Sequence, residues 1–390
     1  MDAVGILRFR VIQRERRRRE QLLQQRAYSV HTRQLRDASD PYNMPENNFR
    51  GRYRLSRELS RALTEELRPL LRDGVRNTSI PVELKILSTL HILGQGNYQK
   101  SAGADNVAPM SQASISRVFD EVITAMNNVH FLRNNIVFPT TPAEIRRLIQ
   151  KNYQRYPYLP GFLGLLDGTH VGIIAPVDRE ELYLNRKGYH SLNVQVCCDV
   201  EYKILNVVAR YPGATHDSFV WNNSALRRTM ENLYRTGERC WLLGDSGYPH
   251  EPWLQTPILN AAEGSREANY TRAHMITRSS VERAIGHLKE RFRCLNRHRV
   301  LHYSPEKAGK IINACVVLHN KCVEAHEPYP DSDDEDEENW DDPPADNVAG
   351  PAAAGRVLNE ARAVRMDIVA RTALVPPAVH QHDRRHRRAP

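Results

Sequence analysis

The apolar positions first fall into a helical rhythm. Over residues 54–74, Leu55, Leu59, Leu63, Leu67, Leu70 and Leu71 recur at the spacing of one helix face. A second run opens at Ile80, with Pro81 near its start. It passes through Val82, Leu84, Ile86, Leu87, Leu90, Ile92 and Leu93 before Gly94 and Gly96 break it. Tyr98–Ala108 reads as a short helix and turn. Met110–Ser111 then opens a third run, Ile115, Val118, Phe119, Val122, Ile123 and Met126. Helix, short helix, helix is the outline of a helix-turn-helix. It sets Ser111, Gln112, Ser114, Ser116 and Arg117 at the start of the last helix, where a DNA groove would meet them. A plain helical bundle with serine caps fits the same pattern.

Beyond Pro139 and a helix over Pro142–Tyr153, the period shifts. Phe162–Leu166 is a short apolar run that continues through Val171–Ile174. Leu192, Val194, Val196, Cys198 and Val200 alternate, the turn Glu201–Lys203 follows, and Ile204–Arg210 returns, which predicts a hairpin. Asp217–Tyr234 reads as a helix, Trp241–Gly244 as a buried strand, and Arg278–Cys294 and Ile311–Cys322 as helices. The order strand, strand, strand, helix, strand, helices predicts an α/β fold with a mixed sheet.

Composition narrows the class. Of 390 residues, 41% are hydrophobic, enough for a buried core, so a wholly disordered chain is excluded. No apolar run is long enough for a membrane span, and the N-terminus enters arginines without an apolar signal core, which argues against secretion. Six scattered cysteines suit a reducing compartment better than a disulfide scaffold. The net charge is +9, but residues 327–346 hold eleven acids and no Lys or Arg, so the remainder is strongly basic. Such a body attracts polyanions, nucleic acid first among them. Ten arginines in residues 1–36, including Arg16–Arg19, fit a nuclear address, a phosphate-binding arm or a solvated, partly helical arm. Five segments follow: a basic, mostly disordered arm (1–50), a helix-turn-helix-like domain (51–135), the α/β domain (136–325), an acidic disordered linker (326–354) and a basic tail (355–390).

Four carboxylates sit where strands and helices begin or end. Asp167 lies in or after the first strand, Asp245 follows the fourth at once, Asp217 opens the helix after the hairpin, and Glu282 falls in the first turn of a later helix. Acids crowded on one sheet edge cannot all ionise cheaply, and a divalent cation removes that cost. Each also has a structural explanation: turn chemistry for Asp167-Gly168 and Asp245-Ser246-Gly247, a helix cap for Asp217, a capping box for Ser279 with Glu282. Arg278, Glu282, Gly286, Lys289 and Arg293 share one helix face. That face suits a metal ligand beside a phosphate backbone, or simple intrahelical ion pairs, and Gly286 on it suggests a close approach there. His170 and His216 adjoin two of the acids, as orienting groups or packed side chains. Cys315, His319 and Cys322 share a face too, but three ligands on an apolar helix are better read as core than as zinc.

The spaced motifs carry a resemblance. Asp167-Gly168-Thr169-His170, Asn185–Asn193, Pro212–Ser218, Gly244–Pro249, Val281-Glu282-Arg283 with Leu288–Phe292, and Cys315–Asn320 occur in an order that resembles the PIF/Harbinger transposases and harbinger transposase-derived nucleases of the DDE superfamily, over about residues 80–325. The resemblance implies an RNase H-like catalytic domain behind the all-α helix-turn-helix-like region. It implies a catalytic set of Asp167, Asp245 and Glu282, with Asp217 added as a metal ligand, a Mg²⁺ or Mn²⁺ cofactor, a DNA substrate and a nuclear location, with cytoplasm as a further compartment. A Myb-like DNA-binding partner is also implied, and a homo-oligomer is compatible. Arg186, Lys187, Lys289 and Arg293 are candidate phosphate contacts, beside Ser111, Gln112, Ser114 and Arg117 of the helical region. Three functions remain open: a metal-dependent DNA endonuclease, a domesticated DNA-binding or adaptor protein, and a transposase still performing strand transfer.

Overall fold

Alternating apolar residues make the hairpin. Strand β2 (Ser191–Cys198) and strand β3 (Ile204–Pro212) pair antiparallel, and every residue of β2 is buried because it is covered on both faces. β2 also pairs antiparallel with β1 (Phe162–Gly172), whose other edge takes β4 (Trp241–Leu243) in parallel. β5 (Leu254–Gln255) adds in parallel to β4, giving a mixed sheet of order β3-β2-β1-β4-β5. This strand order, behind an all-helical region, is the RNase H-like arrangement.

The computed structural model describes residues 3–72, 74, 79–96, 109–329 and 355–375. The helix expected over Tyr98–Ala108, the acidic stretch Asp331–Asp342 and the basic stretch His380–Arg388 lie outside the described residues. Two compact units divide the chain: residues up to Phe131 with Arg291–Cys294, and Leu132–Glu290 with the residues from Leu295 on.

In the first unit, residues expected as a mostly disordered arm carry helix α1 (Ala3–Ala38). Its side chains are largely exposed, and Leu22, Leu23 and Tyr28 stand in solvent. Helices α2 (Glu46–Tyr53), α3 (Arg57–Leu67), α4 (Val82–Gln95) and α5 (Gln112–Met126) enclose Phe49, Leu63, Leu67, Leu87, Leu93 and Phe119. Lys85 ties α4 to α5 through Glu121, 2.8 Å away. Gly96 ends α4 at φ +65°, a left-handed position that a side chain would strain. Helix α6 (Val129–Asn135) follows.

In the second unit the sheet is covered by helices. Below one face, Leu163, Leu166, Cys197 and Leu242 meet Ile145 of α7 (Pro142–Arg155), Trp221 of α8 (Asp217–Asn222), and Leu226 and Met230 of α9 (Ala225–Arg235). The helix expected over Asp217–Tyr234 is therefore two, broken where Ser224 caps α9 through the Arg227 amide. Helix α11 (Pro305–Glu324) packs so tightly on β3 that a Cβ at Gly309 would lie 2.4 Å from the Ala209 carbonyl oxygen. Asn320 clamps the strand start, accepting from the Ile204 amide at 2.8 Å and donating to its carbonyl at 2.7 Å. Helix α10 (Arg266–Arg291) begins twelve residues before the expected start at Arg278. The tail expected after 355 forms helix α12 (Gly355–Arg371), which buries Ala361, Ile368 and Val369.

Candidate active site

Strand register sets two carboxylates side by side. Leu165 of β1 lies opposite Leu243 of β4 in parallel pairing, and Asp167 and Asp245 each stand two residues further along. β1 runs on to Gly172, so Asp167 belongs to the strand and not to a turn. Asp245 does make the expected turn, accepting the Gly247 amide on Oδ1 at 3.0 Å.

Asp217 arrives from the opposite side of β1. It is the first residue of α8, and the capping position belongs to His216, which makes no capping bond, so Asp217 is not the helix cap its sequence position suggested. Asn193 of β2 holds it, donating from Nδ2 to Oδ1 at 2.7 Å. Gly168 makes this approach possible: a Cβ there would stand 2.5 Å from Asp217 Oδ1. Only a glycine lets the Asp217 carboxylate lie this close over β1.

Glu282 lies mid-helix in α10, not in a first turn, and Ser279 bonds back to the Ile276 carbonyl. The capping-box reading therefore fails, which leaves Glu282 without that structural duty. Arg278, one turn earlier, links it to the sheet: one nitrogen donates to Glu282 Oε1 and another to Asp167 Oδ1, each at 2.8 Å. The intrahelical ion pair anticipated on this face exists, and the same guanidinium extends it across to β1. Sequence spacing had marked Arg278 only as one cation on a face; its bridging role was missed because spacing alone does not show which strand the helix crosses.

The three aspartates are near enough to raise one another's cost of ionisation. Asp167 is pushed up to about 7 by burial, against the pull of Arg278, with the charges of Asp245 and Asp217 adding to the rise. The buried Tyr248 phenol is raised by burial and then by Asp217, Asp167 and Asp245. The Arg278 guanidinium is raised by Asp167, Asp245 and Glu282, which outweigh its own burial.

Among the described residues, no set of three or more Asp, Glu, His or Cys side chains is placed to hold a metal ion. Arg278, between Asp167 and Glu282, fills the cation's role in this arrangement. The donor set nonetheless fits a hard divalent cation. It is made of carboxylate oxygens, Gly168 keeps a cradle open for Asp217, and the crowding that raises Asp167 is the cost a cation would remove.

The other anticipated site residues are scattered. Arg186 is exposed and donates to His216 Nδ1 at 2.8 Å; Lys187 is exposed beside it. Lys289 is buried and spends its ammonium on the His170 carbonyl, 3.1 Å away, so it is poorly placed for a phosphate. Arg293 lies beyond the end of α10, in the 3-10 turn Arg293–Leu295, so the helix face does not reach it. Among the described residues, nothing outside its own stretch of helix lies within 4 Å of where a Cβ would stand on Gly286, so the close approach expected there is not seen. His170 pairs with Ser191 Oγ at 3.0 Å. His319 is bonded to the Tyr202 carbonyl, and Cys315 and Cys322 are buried, as a core reading of that face requires. In the helical unit, Ser111 caps α5 through the Ser114 amide, Gln112 and Arg117 are exposed, and Ser114 and Ser116 are half-buried.

The family model described as DDE superfamily endonuclease matches residues 166–320, a span that begins one residue before Asp167 and ends at Asn320. The chain is 37% identical over 294 residues to the Rattus norvegicus protein named "Putative nuclease HARBI1", covering 74% of this chain and 80% of that one. The chain belongs to the DDE superfamily endonucleases. Its PIF/Harbinger-type motifs fall inside the matched span. The Homo sapiens protein of the same name is 37% identical over 257 residues, 65% of this chain and 71% of that one. The Arabidopsis thaliana "Protein ALP1-like" is 24% identical over 257 residues, 62% and 60% of the two chains. No solved structure matches. Among the described residues, no helix is long and apolar enough to cross a membrane.

Proposed function

We propose that this chain is a divalent-metal-dependent DNA endonuclease whose centre is Asp167, Asp245 and Glu282, with Asp217 as a further ligand. The observation that carries the reading is the parallel β1–β4 register that sets Asp167 and Asp245 on neighbouring strands, with Arg278 bonded to both Asp167 and Glu282 and Asp217 lying over Gly168. Mg²⁺ or Mn²⁺ held there supplies charge neutralisation at the phosphodiester and acidifies the attacking water.

The chain's own residues do the positioning. Asp167 and Asp245 offer oxygens from neighbouring parallel strands whose register is fixed by Leu165 and Leu243. Asn193 fixes Asp217 from β2, so three strands contribute to one rigid edge. Glu282 comes from a long helix and is exposed, which lets it close on the edge from the solvent side. Exposed Arg186 and Lys187 supply salt-dependent attraction for phosphate beside this edge. A basic body, an Arg-rich N-terminal helix and the family's substrate class support DNA as the polyanion and the nucleus as the place of action.

Arg278 favours a second reading, an adaptor that holds DNA without cutting, because its half-buried guanidinium already pairs with two of the four acids. One experiment separates the two. Supercoiled plasmid is incubated with the protein and Mg²⁺, Mn²⁺ or EDTA, and Asp167→Ala and Glu282→Ala are compared. Metal-dependent nicking lost in both variants establishes the nuclease. Retained DNA binding with no nicking in either metal establishes the adaptor.

A further inference from the structure

Two aromatic rings lie beside Asp217, Phe219 exposed and Tyr211 half-buried. Phe219 is 54% exposed, although it stands in the first turn of α8, two residues after Asp217. Its ring meets that of Tyr211 edge to face, with centroids 6.0 Å apart and an interplanar angle of 86°. The guanidinium of exposed Arg210 lies 5.2 Å from the Tyr211 ring centre and donates to its hydroxyl at 3.3 Å. Leaving a phenyl ring in water forgoes burial that Val220 and Trp221, its neighbours on α8, both obtain.

Rings and acids share their anchors. Tyr211 is opposite Asn193 in the β2–β3 register, and Asn193 holds both the Thr215 carbonyl and Asp217 Oδ1. A group resting on the rings therefore sits at a fixed place relative to Asp217. Cations flank it: Arg210 on one side, and Arg186, bonded to His216, next to Asp217.

We infer that Tyr211 and Phe219, with Arg210 and Arg186 beside them, form a stacking platform for an unpaired nucleobase of the DNA strand bound at the carboxylate edge. The inference rests on the nuclease reading for its choice of DNA. Aromatic faces accept any base, and arginines beside them accept its phosphate, which together are the chemistry of single-strand recognition. Bases within a duplex are already stacked, so the platform selects a nucleotide that has left the helix, as at a frayed end, an overhang or a distorted site.

The test is binding and needs no cleavage. Fluorescence anisotropy in EDTA compares a blunt duplex with the same duplex carrying a short single-stranded overhang, and with an overhang of abasic nucleotides. Wild type is expected to bind the overhang more tightly than the blunt or abasic probe. Phe219→Ala is expected to lose roughly tenfold in affinity for the overhang alone, while Phe219→Trp keeps the preference. Because Phe219 is exposed, the alanine variant is expected to keep the wild-type circular dichroism and melting temperature. Equal affinity of wild type and Phe219→Ala for the overhang overturns the platform, as does a wild type that binds no DNA or ignores the overhang. The plasmid assay reports separately. Cutting without an overhang preference overturns only the platform, and an overhang preference that depends on Phe219 without cutting overturns only the nuclease.

Discussion

At the scale of single residues, the centre depends on one absent methyl group and one guanidinium. The Asp167-Gly168 pair reads in the sequence as a turn, and the acids as separate turn and cap residues. The strand register and the Gly168–Asp217 approach are what join them, and neither is a local property. Gly168→Ala puts a carbon 2.5 Å from Asp217 Oδ1, so Asp217 must swing away. Calorimetric Mn²⁺ affinity is expected to fall at least tenfold while β1, paired on both edges, keeps its place. Unchanged affinity would show that Asp217 is no ligand. Arg278 acts in the opposite direction. It bonds Asp167 and Glu282 at 2.8 Å each, so a divalent ion must displace it from at least one of them. Arg278→Gln removes the competing charge and is expected to tighten Mn²⁺ binding several-fold. The metal-free variant is expected to melt at a lower temperature, because clustered carboxylates lose their counter-charge. A variant that binds Mn²⁺ more weakly would make Arg278 a support for the site and not its competitor.

At the scale of elements, legibility followed the strength of the apolar period. The hairpin, the buried strand at Trp241 and the helices Val82–Gln95 and Gln112–Met126 are visible in alternation or helical spacing, as is the Ile311–Cys322 part of the helix Pro305–Glu324. The start of α10 was hidden because its buried stripe carries His274 and Thr277 beside Tyr270 and Ala273, and polar members mask the period. Ser279 with Glu282 then imitated a start signal. β5 spans two residues, too short for any period. The sequence of α12 reads as a basic tail because Arg356, Arg362, Arg365 and Arg371 interrupt its apolar positions, yet it docks. Asn269 donates to the Ala373 carbonyl at 2.9 Å and accepts from the Val375 amide at 3.0 Å, and Ala373 donates to the Tyr158 carbonyl at 3.1 Å. Ile368 is fully buried there. Ile368→Ala is expected to cost about 2–4 kcal/mol in urea denaturation. A change below ~0.5 kcal/mol, the size of an exposed substitution, would mean that the helix does not stay docked in solution.

At the scale of the whole molecule, buried histidines set the acid limit of the fold. Burial pushes His274 down to about 4, with Arg278 and Arg365 lowering it further and a bond to the Gln255 carbonyl opposing them. Burial and Arg365 push His250 down to about 3, and burial with Arg52 pushes His91 to about 4. Each is neutral in the native chain at pH 6, whereas the unfolded chain takes up protons below the ordinary value of 6.5. The unfolded state therefore binds more protons between about pH 6.5 and 4, and stability is lost as pH falls through that window. Asp167 works the other way: its raised carboxyl favours the native state at low pH and loses that benefit as pH rises toward 7. Three histidines against one carboxyl predict a metal-free protein that melts at a lower temperature at pH 4.5 than at pH 7. His274→Gln keeps a donor for the Gln255 carbonyl and removes one titration, so the drop between the two pH values is expected to shrink. Melting curves in EDTA at both pH values check this. An equal drop in wild type and His274→Gln would assign the acid limit to other groups and leave the buried imidazoles as packing alone.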